Sequence, residues 1–104
     1  MKRLTRLLVL MVLVSLCLGQ TPIPTPVQMV PGFSIRPYAP RVGMEVEFKD
    51  YSVGPVVDWL WDFGDGTTSI FQNPVHIFTS TGDFTITLTI KDAEGVQVTL
   101  TKRF

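Results

Sequence analysis

The sequence predicts an all-β protein, an antiparallel β-sandwich of about seven short strands. Apolar and polar residues alternate through most of the chain after Gly32, which is the pattern of strands with one buried face. Turn-forming residues separate these segments at short, regular intervals, as in sandwich folds. No segment beyond the N-terminal region shows a sustained helical period. The 104 residues suffice for one domain and are too few for two.

The N-terminal region predicts a secretory signal peptide over residues 1–19. It opens with three basic residues, Lys2, Arg3 and Arg6. An apolar run follows from Leu7 to Leu18, too short to span a membrane comfortably, and Gly19 supplies a small residue before the expected cleavage point. The alternative is a lipoprotein anchor at Cys17, although bulky Leu16 stands where that signal expects a small residue.

Residues 20–31 predict an extended linker, because four of these twelve residues are proline. The folded domain is then expected over residues 32–104. Cleavage after Gly19 removes three basic residues and leaves six basic and nine acidic ones, a net charge of −3. A chain of this mild negative charge lacks the basic surface that binding to nucleic acid requires, and binding to anionic membranes is disfavoured for the same reason. The mature chain would hold no cysteine, so it would fold without a disulfide.

The first half of the domain predicts three strands. Phe33 and Ile35 indicate a short first strand that Pro37 limits. Residues 44–49 alternate apolar with charged side chains, which is typical of a half-buried second strand. In the third, residues 58–63, three aromatic side chains share one face: Trp59, Trp61 and Phe63.

A turn at residues 64–66 comes next, and two further short extended segments are expected at residues 67–71 and 75–78. The last part predicts a β-hairpin: residues 84–91 and 96–101 alternate around a turn at residues 92–95. One face of this hairpin is apolar and the other is rich in threonine, with Thr85, Thr87 and Thr89 as its candidate binding residues.

Several of these segments resemble the motifs of the PKD (polycystic kidney disease) domain family. Residues 61–67, WDFGDGT, look like its signature. Residues 73–78, NPVHIF, are similar to its N-P-x-H-x-Y motif, and residues 82–90 to its G-x-Y-x-V-x-L-x-V strand. Phe78 and Phe84 stand where the family usually has tyrosine, so any hydrogen bond of those hydroxyls is absent.

The resemblance covers residues 33–103 and implies an immunoglobulin-like sandwich. It also implies a setting, because such domains are common in surface proteins and beside the catalytic domains of secreted hydrolases. It does not specify a ligand, since a fold is a poor guide to function.

The motif residues are interpreted first as structural. Trp61 and Phe63 can fill the space between two sheets, and Gly64 and Gly66 suit a sharp turn. Asp62 and Asp65 can accept hydrogen bonds from nearby backbone amides. The full set of expected structural residues is Trp61, Asp62, Phe63, Gly64, Asp65, Gly66, Asn73, Pro74, His76 and Gly82.

No catalytic residue and no cofactor is expected. Asp62 and Asp65 could serve as glycosidase carboxylates only beside a cleft, and one turn of so small a domain offers little room for one. They are weak candidates for calcium, because no D-x-D-x-D loop accompanies them. His76 is the one histidine, and its ring is expected to bond to the backbone near Asn73-Pro74.

The predicted function is an extracellular or cell-surface interaction module with a protein partner, without catalysis. The alternative is a carbohydrate-binding accessory module that works with secreted hydrolases and binds polysaccharide; a degenerate remnant of a longer surface protein is a third. Coplanar exposed aromatic rings would favour carbohydrate, and a flat threonine or apolar patch would favour protein contacts. Tyr38 and Tyr51 are expected to be exposed aromatic residues.

Overall fold

The computed structural model describes residues 28–104; the predicted signal peptide and residues 20–27 of the predicted linker lie outside the described residues. The described chain is all-β and confirms the predicted sandwich of seven strands. The strands are β1 (Phe33–Arg36), β2 (Glu45–Asp50), β3 (Val56–Asp62), β4 (Thr68–Ser69), β5 (Val75–Ile77), β6 (Thr85–Asp92) and β7 (Gln97–Arg103). Residues 28–104 contain no helix that is long and apolar enough to cross a membrane.

The strands form two antiparallel sheets whose order differs from their order along the chain. One sheet has three strands in the order β1-β2-β5, and the other has four in the order β4-β3-β6-β7. The chain therefore changes sheet between β2 and β3, between β4 and β5, and between β5 and β6. These crossings bring motif segments that are distant in sequence to one end of the sandwich.

The core lies between the inner faces of the two sheets, and Trp61 of β3 is its largest fully buried side chain. The Trp61 ring meets the ring of Phe33 edge to face at a centroid distance of 5.1 Å, and the Phe48 ring lies 5.4 Å away. Both partners belong to the opposite sheet, so the indole joins the two layers. The buried apolar residues are Met29, Phe33, Ile35, Val46, Phe48, Trp61, Phe63, Phe78, Ile86, Leu88 and Ile90.

The hairpin of β6 and β7 has the predicted alternation. Ile86, Leu88 and Ile90 are buried, and the threonines between them point to the outer face. Thr87 pairs with Thr101 across the two strands, and Leu88 pairs with Leu100. Leu100 is only half-buried because β7 is the edge strand of its sheet.

The structure differs from the sequence-based expectation at several positions. The fourth strand is only Thr68–Ser69, and Ile70 and Phe71 beyond it are 74% and 70% exposed because the chain there crosses between sheets. Val96 also lies outside β7 and is exposed. Trp59, in the middle of β3, faces the same side of the sheet as Trp61 but is only half-buried.

The domain begins before the predicted boundary at residue 32. Met29 is buried in the core, and Val30 forms an antiparallel bridge with Val53 through two backbone hydrogen bonds of 2.9 Å. Burial of the Met29 side chain favours the folded position of this segment even though prolines are frequent in it. The proline content alone therefore places residues 29–31 in the linker incorrectly.

The seam between the two edge strands β1 and β7 is closed by Lys102. Its position in β7 is on the inward-facing side, in line with Leu100. The Nζ atom donates a hydrogen bond of 2.6 Å to the carbonyl oxygen of Phe33 and lies 4.8 Å from the centre of the Phe33 ring. An inward-pointing charge of this kind discourages edge-to-edge pairing with another chain.

Replacing Trp61 with alanine is expected to lower the free energy of unfolding by about 3–5 kcal/mol, because the side chain is fully buried and leaves a large cavity. Tyr38→Ala is the matched control: Tyr38 is 86% exposed, and its loss should change stability by less than about 0.5 kcal/mol. Urea unfolding of both variants measures the difference. A loss below about 1 kcal/mol for Trp61→Ala would contradict the central place of this ring.

Candidate functional site

The polar residues of the WDFGDGT segment meet those of β5 at one end of the sandwich. Asp65, in the turn between β3 and β4, places Oδ2 2.7 Å from Nε2 of His76 in β5. The two side chains retain only 15% (His76) and 17% (Asp65) of their accessible surface. His76 thus bonds to a side chain of the opposite sheet, and the expectation of a backbone partner near Asn73-Pro74 is wrong.

Aromatic packing fixes the orientation of the His76 ring. It stacks on the ring of Phe63 at a centroid distance of 4.1 Å with an interplanar angle of 5°. Its edge meets the ring of Phe78 at 4.6 Å and 90°. Since Phe63 and Phe78 are both buried, the histidine covers this end of the core.

Asp65 is fully engaged by its own turn and by His76. Its Oδ1 atom accepts hydrogen bonds from the backbone amide of Thr67 at 3.1 Å and from the Thr67 hydroxyl at 2.5 Å. Burial alone would raise the pKa of this carboxyl, but the hydrogen bonds from Thr67 and His76 outweigh it and hold the pKa below its usual value. Asp65 is therefore stabilised as a carboxylate.

The Asp65–His76 pair does not have the geometry of a hydrolytic triad. In a triad the acid binds one ring nitrogen and the nucleophile the other. Here Asp65 and the Thr67 hydroxyl, 3.5 Å away, both approach the same atom, Nε2 of His76. The hydroxyl also donates to Asp65, so the histidine is not placed to activate it.

Asp62 and Gly64 fix the turn at the end of β3. The amide of Gly64 donates a hydrogen bond of 2.9 Å to Oδ1 of Asp62. Gly64 has a φ angle of 77°, and a Cβ atom there would lie 2.5 Å from the carbonyl oxygen of Thr85 in β6. The backbone of the turn rests directly on β6, so only glycine fits at this position.

A second polar cluster, centred on Asp50 at the end of β2, was not predicted from the sequence. Its Oδ2 atom accepts hydrogen bonds from the Trp59 indole at 2.8 Å and from the Gln72 amide at 3.0 Å. The Asn73 side chain accepts a bond of 2.8 Å from the Asp50 backbone amide. Pro74, the next residue, is buried.

Burial would raise the pKa of the Asp50 carboxyl, but hydrogen bonds from Ser52, Gln72 and Trp59 lower it overall. The cluster ties β2 to β3 and to the loop between β4 and β5. Asn73, which was predicted to be structural, contributes to the fold through its bond to the backbone of Asp50. A lone aspartate at a strand end carries no sequence signal for such a role.

The carboxylates of this end are thus used within the fold. In the described part of the chain, no group of three or more His, Cys, Asp or Glu residues could hold a metal ion. Asp65 in particular has both oxygens engaged, one by Thr67 and the other by His76. The arrangement of these side chains holds the two sheets together.

The outer face of the four-stranded sheet is largely polar and carries an open hollow beside Leu60. Thr85, Thr87 and Thr89 lie on this face of β6, and the hydroxyls of Thr87 and Thr101 are 3.1 Å apart. Tyr38 and Tyr51 lie elsewhere, on loops, and are 86% and 58% exposed as predicted. Gly82, in the loop before β6, borders open space.

Seven strands in two antiparallel sheets around a tryptophan-centred core define an immunoglobulin-like β-sandwich module. The sequence profile of the PKD domain matches residues 29–104. The chain belongs to the PKD domain family.

The relatives include large bacterial enzymes. Collagenase ColA of Bacillus cereus is 41% identical over 63 residues, which cover 57% of this chain and 7% of that protein. A microbial collagenase of Vibrio alginolyticus is 44% identical over 65 residues, covering 59% of this chain and 8% of the enzyme. The chain therefore spans less than a tenth of the length of these relatives.

Solved structures show the same fold. The PKD1 domain of the Vibrio cholerae metalloprotease PrtV superposes with a TM-score of 0.64 at 30% identity, over 73% of this chain and 93% of that domain. A carbohydrate-binding module of the β-sandwich superfamily superposes with a TM-score of 0.67 at 21% identity, over 80% of this chain and 35% of that one. The second likeness is one of fold alone.

Two glycine substitutions test the close approach of the turn to β6. Gly64 and Gly66 both have positive φ, but a Cβ at Gly66 would meet nothing within 4 Å. Gly66→Ala should lower stability by about 1–2 kcal/mol through backbone strain alone. Gly64→Ala should lose about 1–3 kcal/mol more from its contact with Thr85. If urea unfolding shows the same loss of stability for both variants, Gly64 does not approach Thr85 as closely as described.

Acid is expected to destabilise the domain through Asp65 and Asp50. Both have a folded-state pKa below the ordinary value of 3.8, so their stabilisation is present above about pH 4 and is lost as the pH falls through the folded pKa. Urea unfolding at pH 7 and at pH 3 should show this loss in the wild type and a smaller one in Asp65→Asn.

At pH 7, Asp65→Asn should lower stability by about 1–3 kcal/mol, because it removes a charge-assisted bond to a largely buried ring. Asp58→Asn is the control at this pH: it removes the same charge from an exposed position on β3. If the two variants are equally stable at pH 7, the Asp65–His76 contact does not stabilise the fold.

Proposed function

We propose that this chain is a non-catalytic interaction module that works outside the cell or on its surface and binds a protein partner. The observation that supports this most directly is the outer face of the four-stranded sheet. It combines a row of threonines with an exposed leucine, while the carboxylates of the WDFGDGT turn are used to hold the fold together.

Cross-strand pairing gives this face a regular pattern. Leu60 of β3 pairs with Thr89, which pairs with Thr99 of β7. On one side lies the row Asp62, Thr87 and Thr101, and on the other the row Asp58, Lys91 and Gln97. Leu60 is 44% exposed, and the hollow beside it is lined by Ile70 and by polar side chains of these rows. An apolar centre with a polar rim is the composition of a protein–protein contact.

A polysaccharide ligand is the alternative. Exposed coplanar aromatic rings would favour it, whereas the outer face of β6 presents threonine hydroxyls, and the exposed rings of Tyr38 and Tyr51 lie elsewhere, on loops. The carbohydrate-binding module with a similar fold supports this alternative only through its architecture. The threonine face therefore favours a protein.

The setting outside the cell is supported by the predicted signal peptide and by the relatives. The family match occurs within proteins named collagenases and a metalloprotease, where it makes up 5–8% of the length. A module of this size, with its turn carboxylates committed to the fold, fits an accessory role beside such a domain. Because one patch on so small a domain buries little area, each contact should be weak, and display in several copies would strengthen it.

The test replaces Thr85, Thr87 and Thr89 with lysine in the full chain. The probes are an envelope fraction, fibrillar collagen and insoluble chitin, and the measurement is the fraction of protein retained on each. The matched control places lysine at three outward positions of the other sheet, Ser34, Val75 and Ile77, which adds the same charge.

The proposal expects the wild type to be retained on a protein-containing probe and the threonine variant to lose about tenfold or more in affinity, with the control unchanged. Retention on chitin alone would favour the polysaccharide alternative. Loss in the control but not in the threonine variant would move the contact to the three-stranded sheet. Circular dichroism of each variant shows whether the fold is retained.

A further inference from the structure

A cleft at one end of the sandwich lies between two loops and is separate from the threonine face. One wall is residues 40–42, in the loop between β1 and β2, and the other is the loop between β5 and β6. Its volume is about 380 Å³. This is at the small end of ligand sites, with room for one side chain and its terminal group.

The floor of the cleft is aromatic. Phe78 and Phe84 both line it, with ring centroids 4.2 Å apart and an interplanar angle of 27°. Phe78 is buried, while Phe84 is only half-buried. A half-buried ring over a buried one offers an apolar surface that a bulky apolar side chain can cover.

Hydrogen-bond donors lie on both walls of the cleft, beside the apolar residues Pro40 and Val42. Arg41 lines one side, and Ser80, Thr81 and Gly82 line the other. Within residues 28–104, the backbone amides of these three residues donate to no backbone carbonyl. Gly82 faces open space where a side chain would otherwise stand. The donors are therefore available to a ligand that accepts hydrogen bonds.

Among residues 28–104, Arg41 has no carboxylate partner. The ion pairs of the described residues are Asp65 with His76 and Asp83 with Arg103, and neither includes it. Residues 1–27 contain no aspartate or glutamate that could reach it. A guanidinium at the edge of an apolar cleft binds a carboxylate well, because its planar fork matches the two oxygens.

We propose that this cleft binds the C-terminus of a peptide that ends in a bulky apolar residue. The side chain of that residue covers the Phe78–Phe84 floor, and its terminal carboxylate binds Arg41 and the donors of residues 80–82. Charge complementarity decides the occupant: an apolar floor under a cationic, donor-rich rim fits an apolar group that carries an anion. This inference goes beyond the proposed function and does not depend on it.

The test uses three short peptides with the full chain: Ac-Gly-Gly-Phe with a free carboxylate, the same peptide with a C-terminal amide, and Ac-Gly-Gly-Gly with a free carboxylate. Binding is measured from NMR shifts of the backbone amides of residues 78–84. The free-acid phenylalanine peptide should bind, and the other two should bind about ten- to hundredfold more weakly.

Arg41→Gln supplies the second arm. It should weaken binding of the free-acid peptide about tenfold or more and leave the weak binding of the amide unchanged. Arg36→Gln is the matched control, because Arg36 is an exposed arginine of β1 that does not line the cleft. Equal binding of acid and amide, an unaffected Arg41→Gln, or an absence of shifts in residues 78–84 would each overturn the proposal.

Discussion

The structure depends on the burial of one indole between two sheets. Trp61 is fully buried, yet its ring carries an N–H group that would be costly to leave without a partner. The carbonyl oxygen of Phe71 accepts it at 2.9 Å. Phe71 lies on the segment that leaves β4 and crosses to β5, so this bond also fixes where the chain changes sheet. Packing and connectivity are thus set by the same side chain.

The polar groups around this core stabilise the segments where the chain passes from one sheet to the other. Asp65 holds His76 across the two sheets, and Asp50 joins the end of β2 to Trp59 and Gln72. Each carboxylate is partly desolvated, and each compensates through several hydrogen bonds. Asp65, which the sequence pairs with Asp62 as possible glycosidase carboxylates, bonds instead to Thr67 and His76.

Local pattern in the sequence predicts local features of the fold well. The alternation of β6 predicts which side chains are buried and which threonines face outward, because parity along a strand is a local property. Contacts between distant segments leave no such pattern. The partner of His76 is eleven residues away, and those of Asp50 include Gln72, twenty-two residues away. Met29 is part of the core although prolines surround it, because burial is decided by the fold and not by its neighbours.

The residues that stabilise this fold differ from those on its surface, so the same fold can occur in proteins of different function. Trp61, Gly64 and Asp65 are committed to the core and to the turn, so they carry no information about a ligand. The outward threonines and the loop residues near Arg41 are free to vary, since exposed substitutions change stability by only about 0.5 kcal/mol or less. If the chain binds through either of the two proposed surfaces, its specificity can change there while Trp61, Gly64 and Asp65 stay the same.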